Sequence, residues 1–209
     1  MMNQIEAATN EVIEVLRNRK VPIGISNRHV HLSEQDYNTL FPNEPISVAK
    51  PLGQPGHYAA NQYVDIIGPK CTLERVRILG PLRSYSQLEI SLTNARELGL
   101  KGVIRQSGDL MSTPGVTIRS HSGEITLKEG VIVAKRHIHM SPLDALIFGL
   151  SDNQEVSVGI DSDERKTRFD QVIVRVDPSS ALELHLDTDE ANAAGLIGNA
   201  DFAVIIRDE

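Results

Sequence analysis

The chain carries one short phrase twice, Arg28-His29-Val30-His31-Leu32-Ser33 and Arg136-His137-Ile138-His139-Met140-Ser141, and an aspartate follows each serine at the third position, Asp36 and Asp144. Four of its seven histidines therefore fall into two matched His-x-His units. Alternate residues of an extended strand share a face, so each unit can aim two imidazoles at one point. Neutral imidazole is the commonest metal ligand among side chains. One such pair on a half-buried strand is easily coincidence; two in the same frame, 108 positions apart, are hard to explain as packing. The repetition predicts two similarly built halves and a metal site assembled from both.

The surrounding texture favours β structure. Ser33-x-x-Asp36 and Ser141-Pro142-x-Asp144 are helix-capping patterns, the second with proline where its missing N–H costs nothing. Each phrase thus predicts a strand, two inward histidines and a short capped helix. Between and beyond them, alternating runs predict strands at Tyr63–Ile67, Arg75–Leu79, Gln87–Leu92, Val116–Arg119, Glu124–Leu127, Glu155–Ile160, Arg168–Val176, Ala181–Leu186 and Phe202–Arg207. Gly-Pro and Ser-Gly punctuation separates them. The fold expected is mainly β, two small β-barrels with short capping helices. Residues 3–19 predict an amphipathic helix, with Ile5, Ala8, Val12, Val15 and Leu16 on one side. Such a helix either docks on its own domain or serves as a tag for another protein.

Four histidines need further donors for a closed metal set. Glu89, in Gln87-Leu88-Glu89-Ile90-Ser91, and His185, in Leu184-His185-Leu186-Asp187, are the best candidates, each a polar residue in an alternating strand. His57 and His121 lie in glycine-flanked loops and are expected to face solvent. Lys70, Arg75, Arg77 and Arg83 form a basic cluster suited to an anion. The stretch from Leu184 to Gly195 predicts strand, capped helix and glycine stop. Formal net charge is -7, which argues against nucleic acid as the main partner. A lone Cys71 excludes an internal disulfide. No apolar run reaches membrane-spanning length, and the N-terminus lacks a secretory pattern, so an intracellular protein is expected. There is neither a phosphate-loop frame nor a Gly-x-Ser-x-Gly nucleophile frame.

The run Gly24 to Ser33 resembles the propanediol-utilisation (PduL-type) phosphotransacylases. So do Gly80-Pro81-Leu82-Arg83, Gln87 to Ser91, Arg136 to Pro142, and His185-Leu186-Asp187-Thr188-Asp189-Glu190-Ala191-Asn192. The likeness runs in order along nearly the whole chain. The clear departure is Met111-Ser112-Thr113, where glycine is more usual in a loop. The resemblance implies a phosphate acyltransferase that converts a short acyl-CoA, propanoyl-CoA by default, and phosphate to acyl phosphate and CoA. It implies two zinc ions per chain in a dinuclear site held by His29, His31, Glu89, His137, His139 and His185. It implies phosphate binding by Arg83 and CoA contacts at Ile25, Ser26, Asn27, Lys70, Arg77 and Asn192. It further implies a helix at 1–19, a barrel of 20–28 plus 134–209, and a central barrel of 29–133. Partners would be acyl-CoA, CoA, phosphate and, through the N-terminal helix, microcompartment shell or core proteins; homodimer formation stays open. The location would be a bacterial microcompartment lumen or the cytoplasm.

Three other classes compete. A zinc-dependent hydrolase of the amidohydrolase type also begins with His-x-His, but needs an alternating (β/α)8 barrel of about 250 residues. A cupin-like oxygenase builds its site within one barrel. A scaffold with structural zinc would have no turnover at all.

Overall fold

A computed structural model describes residues 2–162, 164–196 and 201–206. Along the chain come α1 (Met2–Arg17), β1 (Val21–Ser26), β2 (His29–His31), α2 (Glu34–Leu40), β3 (Val48–Pro51), β4 (Tyr58–Ile67) and β5 (Thr72–Gly80). Next are β6 (Gln87–Glu89), α3 (Leu92–Leu98), β7 (Ile104–Arg105), β8 (Val116–Arg119), β9 (Glu124–Leu127) and β10 (Val131–Ala134). The last third holds β11 (His137–Met140), α4 (Pro142–Phe148), β12 (Glu155–Ile160), β13 (Thr167–Val176), β14 (Glu183–Asp187), α5 (Thr188–Ala193) and β15 (Phe202–Ile206). The described residues divide into two compact units.

The first unit draws on residues 1–25, 136–186 and 190–209. Its strands close into a barrel in the order β1-β14-β11-β13-β12-β15. The interior is apolar: Val21, Ile23, Ile138, Met140, Val158, Val172, Val174, Leu184 and Leu186 are buried in one cluster. Closure leaves no unpaired edge, which a short-stranded sheet otherwise has to protect.

The second unit, residues 26–135 and 187–189, is a nine-stranded curled sheet. Its path runs β7-β10-β6-β2-β5-β4-β8-β9, with β3 attached to β4. The mainly-β expectation holds, but this sheet does not close as the first does. Its end strand β7 spans two residues, too short to zip onto a partner. Val30, Leu32, Leu88, Ile90, Val64, Ile66, Val76 and Ile78 form its buried core.

Most expected strands occur within a residue or two of the sequence reading; Arg207 lies outside the described residues. One differs in kind. The run Gln87–Leu92 stops at Glu89, because Ser91 caps α3 by accepting a hydrogen bond from Asn94 N–H. Serine followed at the third position by asparagine is a weaker capping signal than Ser-x-x-Asp, yet the physics is the same.

Both predicted caps form. Ser141 Oγ accepts from Asp144 N–H at 3.1 Å, and the Asp144 carboxylate accepts from Ser141 N–H at 3.0 Å, closing a capping box. At α2 the Ser33 hydroxyl accepts from Asp36 N–H, but Ser33 N–H donates to Ser86 Oγ, whose hydroxyl in turn binds the Asp36 carboxylate. Ser86 therefore completes that box as a relay. The helix α1 is as long as expected, yet its apolar side is open: Ile5 is 67% and Val15 68% exposed. It is fastened near its end instead. Arg17 Nε donates to Ile147 O at 2.9 Å, and Arg19 pairs with Asp144 while its guanidinium lies over the Phe148 ring.

Burial pushes the Asp144 carboxyl up, but the Ser141 hydrogen bonds and Arg19 outweigh it and hold the group below its ordinary 3.8. A carboxylate with a depressed folded pKa stabilises the fold above its unfolded pKa and loses that contribution as pH falls. Asp144→Asn is therefore expected to lower stability in urea by about 1 kcal/mol at neutral pH, the typical worth of such a cap. The gap to wild type should narrow as pH drops through 3.8 and below; a gap independent of pH would contradict the assignment.

Candidate metal centre

Two strands in each unit supply the polar cluster, and the apolar core decides which way their side chains point. In the second unit Val30, Leu32, Leu88 and Ile90 enter the hydrophobic cluster. The alternate residues His29, His31, Gln87 and Glu89 therefore emerge on the opposite face. The histidines face away from the core of their sheet, correcting the expectation of inward pairs. β2 and β6 are antiparallel, with His29 opposite Glu89 and His31 opposite Gln87. The first unit repeats the design on β11 and β14, with His137 opposite His185 and His139 opposite Glu183. There Ile138, Met140, Leu184 and Leu186 fill the barrel.

His29, His31 and Glu89 form one set of converging donors, and His137, His139 and His185 another, each within 4.8 Å. All six residues expected as ligands thus fall into two triads, each inside its own unit. In the second unit the tautomers are fixed by backbone carbonyls. His29 Nδ1–H donates to Asn27 O at 2.8 Å, and His31 Nδ1–H to Leu79 O at 3.2 Å. A carbonyl only accepts, so each Nδ1 carries the proton and each Nε2 presents a lone pair. Those lone pairs face the Glu89 carboxylate, at 3.5 Å from His29 and 4.0 Å from His31. Burial lowers the His31 pKa well below its usual value, His29 and Arg83 lower it further, and the Leu79 carbonyl only partly opposes them. His31 is consequently neutral at physiological pH. Two lone pairs and a carboxylate, all buried and converging, repel one another unless a cation lies among them. The donor set therefore fits a divalent metal, and imidazole with carboxylate suits zinc.

The three-histidine array has the same character. His137 Nε2 and His139 Nε2 lie 3.1 Å apart. The three rings stand edge to face with centroids 4.7–5.1 Å apart.

Around Glu89 lies a hydrogen-bonded clamp that the sequence reading missed. Gln87, fully buried, donates from Nε2 to Glu89 Oε1 at 2.6 Å and to Ser107 Oγ at 2.8 Å. Its Oε1 accepts from Gly108 N–H at 2.7 Å. Ser107 donates its proton to Glu89 at 3.0 Å and accepts from Arg83 Nη1 at 3.1 Å. The available signal was position: Gln87 precedes Glu89 by two, so it shares that face, while Ser107-Gly108 read only as a turn. Arg83 follows the cis Gly80-Pro81 bond, and its N–H donates to Leu32 O at 2.9 Å. One serine therefore links the predicted phosphate ligand to a predicted metal ligand.

The CoA candidates are placed less uniformly. Arg77 is the register partner of His29 on β5. Its guanidinium lies 4.1 Å from the Tyr63 ring centroid, while Nη1 donates to Ala60 O. Arg75 stacks on the same ring at 4.6 Å. Asn27 is exposed and Ser26 half-buried, both next to β2. Lys70 is exposed in the β4–β5 turn, where its N–H donates to Leu98 O, at the opposite end of β5 from Arg77. In the first unit, Ile25 packs against the barrel core and Asn192 is exposed on α5. His121 is exposed as expected, 3.6 Å from Glu44, whereas His57, also expected to face solvent, is half-buried.

Two donor arrays, each built across an antiparallel strand pair and flanked in one unit by an anchored arginine, could each hold a metal ion in a mainly β protein. The family model for phosphate propanoyltransferase matches residues 22–197. A phosphate propanoyltransferase of Shewanella putrefaciens is 54% identical over 202 residues, covering 97% of this chain and 96% of that protein. Others from Citrobacter freundii and Escherichia fergusonii are 55% identical over 203 residues (97% of each chain) and 57% over 191 (91% of each). The chain belongs to the phosphate propanoyltransferase family.

Because Gln87 has both ends of its amide engaged, Gln87→Leu frees Glu89 to turn and should weaken metal binding at that array roughly 10- to 100-fold, the usual cost of losing an outer-shell partner. Zinc competition against a chromophoric chelator measures it; unchanged affinity would remove the clamp's role.

Proposed function

We propose that the chain is a zinc-dependent phosphate acyltransferase that interconverts a short acyl-CoA, propanoyl-CoA first, and inorganic phosphate with acyl phosphate and CoA. The observation that carries this proposal is the pair of donor arrays, one of them hydrogen-bonded through Ser107 to Arg83. His29, His31 and Glu89 would hold one zinc, and His137, His139 and His185 a second. Zinc supplies Lewis acidity for the thioester carbonyl and a soft partner for the CoA sulfur.

The chain's own groups then have separable tasks. Arg83 presents a planar fork of donors to phosphate oxygens, and Ser107 holds that fork in place. Fixed orientation of phosphate against the carbonyl replaces the entropy cost of a bimolecular encounter. Attack of a phosphate oxygen forms the C–O bond, the C–S bond breaks, and the thiolate of CoA leaves. No covalent acyl-enzyme is required: Cys71 is exposed and its thiol rests on Glu97 O, among none of the donors. Arg77, pinned over Tyr63 beside His29, is proposed as a CoA contact, together with Ile25, Ser26, Asn27, Lys70 and Asn192.

No helix of the described residues is long and apolar enough to cross a membrane. The open apolar side of α1, held at its C-terminal end by Arg17 and Arg19, supports its reading as a tag for encapsulation in a bacterial microcompartment. Deleting residues 1–17 should then leave turnover intact and abolish co-fractionation with shell proteins; loss of folding would make the helix structural instead.

The activity is tested by following thiol release from propanoyl-CoA. Release that requires phosphate and is lost on chelation is the expected result. Arg83→Ala should lower turnover by roughly 10²- to 10³-fold, as removal of a single charge-stabilising donor does elsewhere. Release without phosphate would mark a hydrolase, and unchanged phosphate dependence in Arg83→Ala would overturn that residue's role.

A further inference from the structure

The donor-bearing face of the second sheet carries a charged feature outside its array. Val30, Val64, Val76 and Ile78 enter the core, so His29, Arg77 and Tyr63 leave together on the opposite face. Tyr63 is the register partner of Arg77, and Arg77 of His29. The three form one row across neighbouring strands, which sets the Tyr63 backbone roughly 10 Å from that of His29. A β-bulge brings a further arm to this row. The ladder steps from Val64 opposite Val76 to Ile66 opposite Leu73, leaving Glu74 and Arg75 both to face Asp65. Arg75 takes φ 54°, an uncommon conformation for any residue but glycine. Asp65 Oδ1 holds it there by accepting the Arg75 N–H at 2.9 Å. Bulges of this kind re-aim a side chain and are frequent beside functional sites.

The re-aimed guanidinium lies 4.6 Å from the Tyr63 ring centroid, and that of Arg77 lies 4.1 Å from the same centroid. One arginine over one tyrosine is an ordinary cation–π pair. Two on a single ring set like charges against each other, and an anion bridging them relieves the repulsion. Among the described residues no carboxylate pairs with either guanidinium. Arg77 gives Nη1 to Ala60 O at 2.8 Å, and Asp65 is engaged by the Arg75 backbone. Each guanidinium is a planar fork of donors that matches phosphate oxygens. Two forks suit a phosphate monoester, which carries close to two negative charges and three strong acceptor oxygens.

We infer that Arg75 and Arg77, held on the Tyr63 ring, clamp the 3′-phosphate of CoA, an assignment that rests on the acyl-CoA reading of the site. The 3′-group is the only phosphate monoester of CoA; its other two phosphates are joined as a diester. The clamp shares a face with the donor array yet stands outside it, as suits a group remote from the reacting thioester. A contact made equally in the ground and transition states lowers KM without raising kcat.

The test compares propanoyl-CoA with propanoyl-dephospho-CoA, which lacks only the 3′-phosphate, on the full chain. Arg75→Asn removes the guanidinium and keeps a residue that tolerates the left-handed conformation. It is expected to raise KM for propanoyl-CoA roughly tenfold, as loss of a hydrogen bond to a charged group does, with kcat and the KM for phosphate little changed. On propanoyl-dephospho-CoA the variant and the wild type should behave alike, because each change removes one partner of the same pair. The wild type alone carries the test if Arg75→Asn fails to fold: its KM should rise by a similar factor when the 3′-phosphate is absent. A wild type indifferent to the 3′-phosphate, an unchanged KM in Arg75→Asn, or an equal loss on both substrates overturns the clamp and leaves the acyltransferase reading standing. A wild type that neither turns over propanoyl-CoA nor binds CoA in calorimetry overturns both.

Discussion

The period-two alternation of strand side chains is the constraint on which the rest depends. On four strands it sends one set of residues into an apolar core and the other to a donor array. Val30, Leu88, Ile138 and Leu184 are fully buried, and each sits between two side chains of the donor face. Slipping any of these strands by one residue would put polar donors into the core and an apolar side chain among the donors. Core packing thus fixes the array without touching it. Burying such a side chain contributes about 1.5–3 kcal/mol, enough to settle the register of a three- or four-residue strand.

The arrays themselves work against stability. Lone pairs and a carboxylate 3.5 to 4.0 Å apart lose hydration once buried, and the same burial lowers the His31 pKa and so disfavours the proton that would relieve them. The strain is balanced by outer groups: the Asn27 and Leu79 carbonyls, the Gln87–Ser107 clamp and the β2–β6 ladder. This is how preorganised sites are ordinarily built, with support from neighbours whose own bonding is complete.

How much of this could be read in advance follows from which interactions are local. Strands with clean alternation, such as Val116–Arg119 and Glu155–Ile160, and the Ser33 and Ser141 caps are decided by neighbours a few residues away. The repeated phrase exposed the histidines for the same reason. Ser107 and Ser86 were hidden because their partners are 18 to 53 residues distant, and Gln87, though two residues from Glu89, is held by Ser107 and Gly108, 20 and 21 residues away; nothing in a serine or glutamine announces such a bond. Ser91 disguised the end of β6 by capping a helix where an unbroken strand was expected. The open curl of the second sheet reflects strand lengths and end pairing, which composition does not encode. Lys70 and Arg77 read as one basic cluster by sequence, yet Lys70 precedes the extended strand β5 and Arg77 lies more than halfway along it, which carries them apart.

Three of the four donor-bearing strands run straight into a capped helix: His31 is followed at the second position by the cap Ser33, Glu89 by Ser91 and His139 by Ser141. Six consecutive residues therefore hold two donors, the apolar residues that orient them and the signal that stops the strand. Such a phrase is a portable half-site. Copied into another sheet, it arrives already aimed and already terminated, and only the facing strand remains free to vary. The two copies keep the Arg-His-x-His-x-Ser frame, exchanging only Val30 and Leu32 for Ile138 and Met140, while the facing strands present Gln87 and Glu89 in one unit and Glu183 and His185 in the other.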